Sequence, residues 1–313
     1  SGQQQHRCRG RDCHSVVSQV VTQPRVLVVG DVIDDILATI SMPLRHNTDT
    51  PATIVKSSGG SAANTAVWLA HQGVQADFVG RVGVADLERF RDEFHNAAVI
   101  PDLVADRERP TGTIVIVVEG ESRTMLTDRG ANTELDFAAI DHELVEHSAW
   151  VHLTGYSMFH HSHPETIPDF ISRARSGGAQ VALDASSSGF LRDFGVERFL
   201  EATREVSVLR CNEDEATVLA GVDSLEEAVE FLGDRFPAAV VTQGSRGVWL
   251  TEGGQVQPVP VAKPLESVDP TGAGDSFNAG LLGGLVRGES LSEATARGNS
   301  LAAQCITKAG ARP

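Results

Sequence analysis

The stretch Asp269-Pro-Thr-Gly-Ala-Gly-Asp-Ser-Phe-Asn-Ala-Gly280 gathers the residue types that phosphate chemistry needs. Gly272 and Gly274 let the backbone approach a ligand closely, and the apolar run Phe277–Val286 predicts a helix that begins there. The first turn of a helix has amides without intrahelical partners and a partial positive charge, so it can hold an anion without any basic side chain. An ionised Asp275 in that field could accept the proton of an attacking hydroxyl. A bare Gly-x-Gly-Asp could equally cap a helix, so its meaning depends on what surrounds it.

Three other polar clusters stand at the ends of predicted strands. Val181-Ala-Leu183 runs into Asp184, Val208-Leu-Arg-Cys211 into Asn212, and Ala239-Val-Val241 into Thr242-Gln-Gly244. In an open parallel sheet, ligands bind beyond the carboxyl ends of the strands. The elements that must position these residues follow from the hydrophobic pattern. Short β-branched runs predict strands at Val26–Val29, Asp77–Val79, Trp150–Leu153, Gln180–Leu183, Val206–Leu209, Ala238–Thr242 and Gly247–Leu250, with helices between them. Ser224-Leu-Glu-Glu227 and Ser290-Leu-Ser-Glu293 have the form of a capping box, and Gly73, Gly177-Gly178, Gly221 and Gly288 mark helix ends. The fold class is therefore α/β, a mainly parallel doubly wound sheet flanked by helices. Ala38–Ser58 and Thr111–Thr127 read as extended insertions that form a small β-sheet lid.

A net charge of -16, from 26 basic and 42 acidic residues, opposes approach to nucleic acid or an anionic membrane, so neither is an expected partner. An acidic protein acting on an anionic substrate then needs a local device such as backbone amides or a metal ion. No apolar run reaches the ~20 residues of a spanning helix. Four cysteines in 313 residues make no disulfide framework, and no secretory leader precedes the first strand, which points to a cytoplasmic location. Residues 1–24 are polar and basic and read as a leader or tag-like tail before a domain spanning 25–313. His6, Cys8, Cys13 and His14 are possible metal ligands by type but not by zinc-module spacing.

The 269–280 segment resembles the C-terminal signature of the ribokinase-like carbohydrate kinases, the PfkB family, and three further segments follow the family's order. Gly59-Gly-Ser-Ala-Ala-Asn64 resembles its N-terminal signature, Asn212-Glu-Asp-Glu215 its N-x-x-E motif, and Thr242-Gln-Gly-Ser-Arg-Gly247 its T-x-G-x-x-G nucleotide stretch. The resemblance implies ATP and Mg2+ as cosubstrate and cofactor. It implies Asp275 as base, with the amides of Gly272, Ala273 and Gly274 as an anion hole. Asn212 and Glu215 would organise Mg2+ and phosphates through water. Thr242, Gly244, Ser245 and Gly247 would line the nucleotide site, with Asn299 facing the adenine. Gly59, Gly60, Asn64 and Asp35 would grip the acceptor's hydroxyls, with Asp34 the rival of Asp35. Asp269 stands where related kinases place a monovalent cation, K+, and is equally suited to anchoring the turn before Pro270. A homodimer through the lid is also implied.

Some features depart from that pattern or take a plainer reading. Gly83-Val-Ala-Asp-Leu-Glu88 lacks the second glycine of the family's G-D-D-x-x-G loop, and Ser61 stands where ribokinase has lysine. The sequence stops at Pro313, where relatives commonly continue, and the expectation is an effect on stability or nucleotide closure. His160-His161-Ser-His163 reads as a surface loop, and Trp68 and Trp249 as core. The expected function is transfer of the γ-phosphoryl group of ATP to a hydroxyl, primary by preference, of a sugar or sugar derivative. The alternatives are a nucleoside kinase, for which no aromatic slot is evident, and a catalytically silent sugar-binding regulator. A dinucleotide oxidoreductase would need G-x-G-x-x-G where Gly30-Asp-Val-Ile-Asp stands, and no Gly-Lys-Ser/Thr exists for a P-loop.

Overall fold

Val26, Leu27, Val28 and Val29 are all fully buried because their strand lies inside a sheet covered on both faces. Successive side chains point to opposite faces, so Leu27 and Val29 join one hydrophobic cluster while Val26 and Val28 join the other. The computed structural model describes residues 24–120, 122–261 and 265–313. Its strands are β1 Arg25–Val29, β2 Ile33–Ile40, β3 Ala52–Gly59, β4 Gln75–Gly83, β5 Ile100–Asp106, β6 Gly112–Glu119, β7 Ser122–Asp128, β8 Ser148–Thr154, β9 Gln180–Asp184, β10 Val208–Asn212, β11 Ala238–Thr242, β12 Val248–Glu252 and β13 Gln255–Val259. Its helices are α1 Ser61–His71, α2 Leu87–Asn96, α3 His142–Glu146, α4 Tyr156–Phe159, α5 Thr166–Ser176, α6 Ser188–Phe194, α7 Val196–Ala202, α8 Glu213–Ala220, α9 Leu225–Arg235, α10 Ala273–Leu285 and α11 Leu291–Cys305.

Nine strands form the main sheet in the order β13-β12-β11-β10-β9-β8-β1-β4-β5. All neighbours are parallel except β11 with β12 and β12 with β13. The chain runs outward from β1 in both directions, which makes the β1 edge with β8 the reversal point where such sheets bind ligands. The second sheet has the order β3-β2-β6-β7. It takes in more than the expected 38–58 and 111–127 segments, because β2 pairs continuously from Ile33 with both β3 and β6. Asp34 and Asp35 are thereby residues of this small sheet.

Local signals explain the helix starts. Ser290 and Glu293 cap α11 reciprocally, whereas at α9 Ser224 accepts from the Glu227 amide but its hydroxyl donates to Glu226, so the expected box is half formed there. The expected strand at Val206–Leu209 is shifted to β10, since the Val206 amide closes a turn onto Thr203 before pairing starts. β5 and β13 were not expected. Both are edge strands, and each contains a proline (Pro101, Pro258) that an edge tolerates. Trp68 is core, but Trp249 is only half-buried. Cys211 and Cys305 are free and buried. No described helix is long and apolar enough to cross a membrane.

Candidate active site

The N-termini of α1 and α10 meet at Asp275. Its Oδ1 accepts from the Ser61 hydroxyl at 2.6 Å and its Oδ2 from the Asn64 side-chain amide at 2.9 Å. The carboxylate thus faces across to α1 rather than folding back on its own helix. Surrounding protein withdraws water from this group and pushes its pKa up to about 7, against the two hydrogen bonds that favour the charged form. That value suits a base working near neutrality.

Gly272 precedes α10 with φ 80°, the left-handed region that favours glycine. A Cβ there would lie 2.6 Å from the Cα and carbonyl oxygen of Ala311, so the 309–312 segment packs directly on this turn. Among the described residues, the amides of Gly272, Gly274 and Asp275 have no protein acceptor. The Ala273 amide does: it donates to the Pro270 carbonyl at 3.2 Å. Of the three amides expected to form an anion hole, those of Gly272 and Gly274 are free of protein acceptors, as is that of Asp275, while the turn that starts the helix engages Ala273.

Across from α10, Asp31 receives the amides of Ser61 (3.2 Å) and Ala62 (3.0 Å) and so fixes the start of α1. A Cβ on Gly59 would lie 2.1 Å from Asp35 Oδ2, so only glycine leaves that carboxylate its place. Strand alternation separates the two candidate aspartates: Asp35 lines the cavity, while Asp34 pairs with Arg89 of α2 at 2.8 Å. Burial raises the Asp35 pKa to about 6, Asp31 adds to it, and Arg312 opposes it. Asn64 is held at both ends, its Nδ2 on Asp275 and its Oδ1 accepting from Arg312 Nε at 3.0 Å. Arg312 also donates to the Gly59 carbonyl at 3.3 Å. Gly60 lines the same cavity.

At the end of β10, Asn212 and Glu215 form a capping box on α8. Glu215 Oε2 accepts the Asn212 amide (2.8 Å), its Oε1 the Asn212 Nδ2 (2.9 Å), and Asn212 Oδ1 the Glu215 amide (2.9 Å). Glu215 is buried, and burial and Asp184 raise its pKa to about 7 against Arg210. Each of its oxygens accepts one hydrogen bond and the residue lines the cavity, so the carboxylate could order metal-bound water. Thr242 Oγ1 accepts from Arg210 at 3.0 Å. Gly244 and Ser245 form a short 3-10 turn, and Gly247 follows it in a left-handed conformation. Asn299 lies on α11 away from the residues that line the cavity, and its buried Nδ2 has no partner among the described residues.

Asp269 is anchored rather than open. Its Oδ1 accepts from the Thr271 amide (3.0 Å), the Thr271 hydroxyl (2.7 Å) and Arg123 of the small sheet (3.1 Å), and its Oδ2 from the Gly310 amide (3.1 Å). Despite partial burial, these bonds lower its pKa to about 2. These contacts fit the turn-anchoring reading of Asp269, with the Arg123 guanidinium as its cationic partner. The segment His160-His161-Ser-His163 is a loop with His160 and His163 exposed, while His161 is half-buried and bonds to the Leu135 carbonyl at 2.6 Å; among the described residues no group of three His, Cys, Asp or Glu side chains could hold a metal ion. His6, Cys8, Cys13 and His14, with the rest of the tail up to residue 23, lie outside the described residues.

The two halves share a cavity of about 550 Å³, lined by Asp35, Gly60, Ser61, Asp184, Arg210, Asn212, Glu215, Gly274 and Asp275, with Ile114, Ile116 and Met125 from the small sheet. Tyr156 and Phe190 also line it, and the Arg129 guanidinium lies 4.4 Å from the Tyr156 ring centre. The aromatic wall judged absent from composition is thus present, because the single tyrosine is placed at the site. Asp184 lines the cavity from the end of β9, as expected of a polar residue at a strand end; Arg210, Arg129 and Arg312 carry no such expectation, and of these only Arg210 leaves a visible trace in the sequence, as a charge inside an apolar strand.

A family model, pfkB family carbohydrate kinase, matches residues 23–313. A fructokinase of Klebsiella pneumoniae is 28% identical over 273 residues, covering 83% of this chain and 84% of its own length. A probable sugar kinase of Rhizobium etli superposes with a TM-score of 0.83 at 29% identity, covering 93% of this chain and 96% of that one. The adenosine kinase of Sinorhizobium meliloti does so with a TM-score of 0.81 at 28% identity, over 93% and 96% of the two chains.

Proposed function

The chain belongs to the pfkB family of carbohydrate kinases, phosphotransferases acting on hydroxyl groups, and from that premise we propose that it transfers the γ-phosphoryl group of ATP to a hydroxyl, primary by preference, of a sugar or sugar derivative. The observation that carries this reading is the pairing of one raised-pKa carboxylate, Asp275, with the partner-free amides of Gly272, Gly274 and Asp275 itself at the same helix start. The acceptor oxygen forms a bond to the γ-phosphorus as the bond from that phosphorus to the β–γ bridging oxygen breaks. The electron pair leaves with ADP, and the hydroxyl proton passes to Asp275. The amides of Gly272, Gly274 and Asp275 face the charge that develops on the phosphoryl oxygens. Mg2+ bound with the nucleotide would neutralise phosphate charge, with Asn212 and Glu215 ordering its water. Thr242, Gly244, Ser245 and Gly247 would border the nucleotide, and Asn299 its base.

Asp35 is the residue placed to grip the acceptor, since one carboxylate can accept two hydroxyl hydrogen bonds. Asp35→Asn is expected to raise the acceptor KM by about 10- to 100-fold, the scale of losing a charged hydrogen bond or two, with a smaller change in kcat. Asp34→Asn, which touches only the Arg89 ion pair, should leave both constants within about twofold. Steady-state kinetics on the two variants check this, and equal effects would remove Asp35 from the acceptor site.

The raised pKa of Asp275 predicts a pH profile. A base must be unprotonated, so kcat should fall as pH drops through about 7 and level off above it. A flat profile between about pH 5.5 and 8.5 would contradict the role of this carboxylate.

A nucleoside acceptor is the second reading. It is favoured by Tyr156 and Phe190 along the cavity and by the likeness to an adenosine kinase. Measuring ADP formation across a panel of free sugars, sugar acids and ribosides separates the two, with activity confined to one class naming the acceptor. A silent regulator is disfavoured by the intact base and amides, and ADP formation with no member of the panel would restore it.

A further inference from the structure

We propose that Arg210 is a further catalytic residue, its guanidinium contacting the γ-phosphoryl group during transfer; this rests on the kinase reading above. On β10, Leu209 and Cys211 are fully buried in the hydrophobic cluster on one face of the sheet, which turns Arg210 to the other face, toward α10. Its side chain is only 12% exposed and lines the cavity. One terminal nitrogen donates to Asp184 Oδ2 at 3.0 Å and the other to the Thr242 hydroxyl at 3.0 Å. Among the described residues its Nε has no partner.

Two observations aim this group at the reacting phosphate rather than at Asp184 alone. A Cβ built on Gly274 would lie 3.3 Å from Arg210 Nη1, so the guanidinium rests against the very turn whose amides are free. The cavity wall carries five carboxylates, Asp31, Asp35, Asp184, Glu215 and Asp275, against two cations, Arg129 and Arg210. Arg129 is beside Asp31 and Tyr156 on the acceptor side, so Arg210 is the cation between Asp275 and the Asn212–Glu215 pair. An incoming triphosphate end meets net negative charge there unless a cation faces it. Asp184 has the geometry of a positioning residue: it also accepts from Asn278 Nδ2 at 2.5 Å and from the Ser186 amide at 2.7 Å, which fixes the carboxylate that orients Arg210. A guanidinium so held needs no rearrangement as charge moves onto the phosphoryl oxygens, and it forms no bond in the step.

The test compares Arg210→Met, Arg210→Lys and the double variant Asp184→Asn/Arg210→Met with the unmodified protein. Arg210→Met should lower kcat by about 10²- to 10³-fold, the scale of losing one preorganised charge donor, with the acceptor KM within about threefold. Arg210→Lys should restore part of the rate. The double variant removes the buried pair as a unit, so it should recover thermal stability but remain as slow as Arg210→Met. Recovery of its kcat to within about threefold of the unmodified protein would show that Arg210 serves only to neutralise Asp184 and would overturn the proposal. A second readout needs no acceptor. By calorimetry, Arg210→Met should weaken a non-hydrolysable ATP analogue by about tenfold or more and ADP by less than about threefold. Equal weakening of both would also overturn it. Binding of neither nucleotide by the unmodified protein would instead sink the kinase reading on which it rests.

Discussion

Asp275→Asn is expected to lower kcat by about 10²-fold or more while leaving ATP affinity within about threefold, the signature of losing a positioned base and not a binding group. Asparagine keeps the shape and can still accept from Asn64 and meet Ser61, so the loss isolates proton transfer. The same substitution should stabilise the fold. A carboxyl whose pKa rises from 3.8 unfolded to about 7 folded favours the native state fully only below about pH 4. That advantage is lost as pH rises toward about 7, and above this the buried charge is a constant cost. Asp275→Asn should therefore melt several degrees above the unmodified protein at pH 8 and level with it near pH 4. Thermal unfolding at the two values checks the sign. Unchanged kcat would end the assignment of the base, and a lower Tm at pH 8 would show that the carboxylate is not held against its own charge.

Gly272→Ala should be the second severe lesion, through two independent penalties. A non-glycine residue at φ 80° is strained by about 1–2 kcal/mol, and its methyl would meet backbone atoms of Ala311 at 2.6 Å. Backbone cannot yield as a flexible side chain does, so either the 309–312 segment is displaced or the turn rotates. Displacement loosens Arg312 from Asn64 and Gly59, while rotation re-aims the free amides. Either route is expected to reduce kcat by about 10²-fold, comparable to removing an oxyanion donor, and to lower Tm by several degrees. Gly288→Ala is the control, since that glycine also has positive φ but nothing within contact range of a Cβ. A Gly272→Ala protein as active as the control would mean that the turn does not shape the phosphate site.

What could be read in advance was what local sequence determines. The start of α10 was legible because two glycines, an aspartate and an apolar run sit within one turn of each other. The main parallel strands were legible because burial on both faces demands continuous apolar runs such as Val26–Val29. Edge strands β5 and β13 lacked that demand and escaped notice. The alternation of Asp34 and Asp35 predicts that they face opposite ways but not which way, since register depends on β3 and β6. Partners far apart in sequence were illegible for the same reason. Arg123 reaches Asp269 across 146 positions and Arg312 reaches Asn64 across 248, and each changes how the motif residue reads. Composition misled once: an aromatic content of 5% suggested no aromatic slot, yet what counts is that Tyr156 and Phe190 stand at one cavity.

Phosphorus NMR of the unmodified protein with ATP, Mg2+ and the acceptor panel tests the central claim most directly, because it follows where the γ-phosphorus goes. The account predicts decay of the γ resonance matched by a new phosphomonoester signal with one class of acceptor, and neither change on the same timescale with Asp275→Asn. Decay to inorganic phosphate alone, or a phosphomonoester formed as fast without the carboxylate, would contradict it.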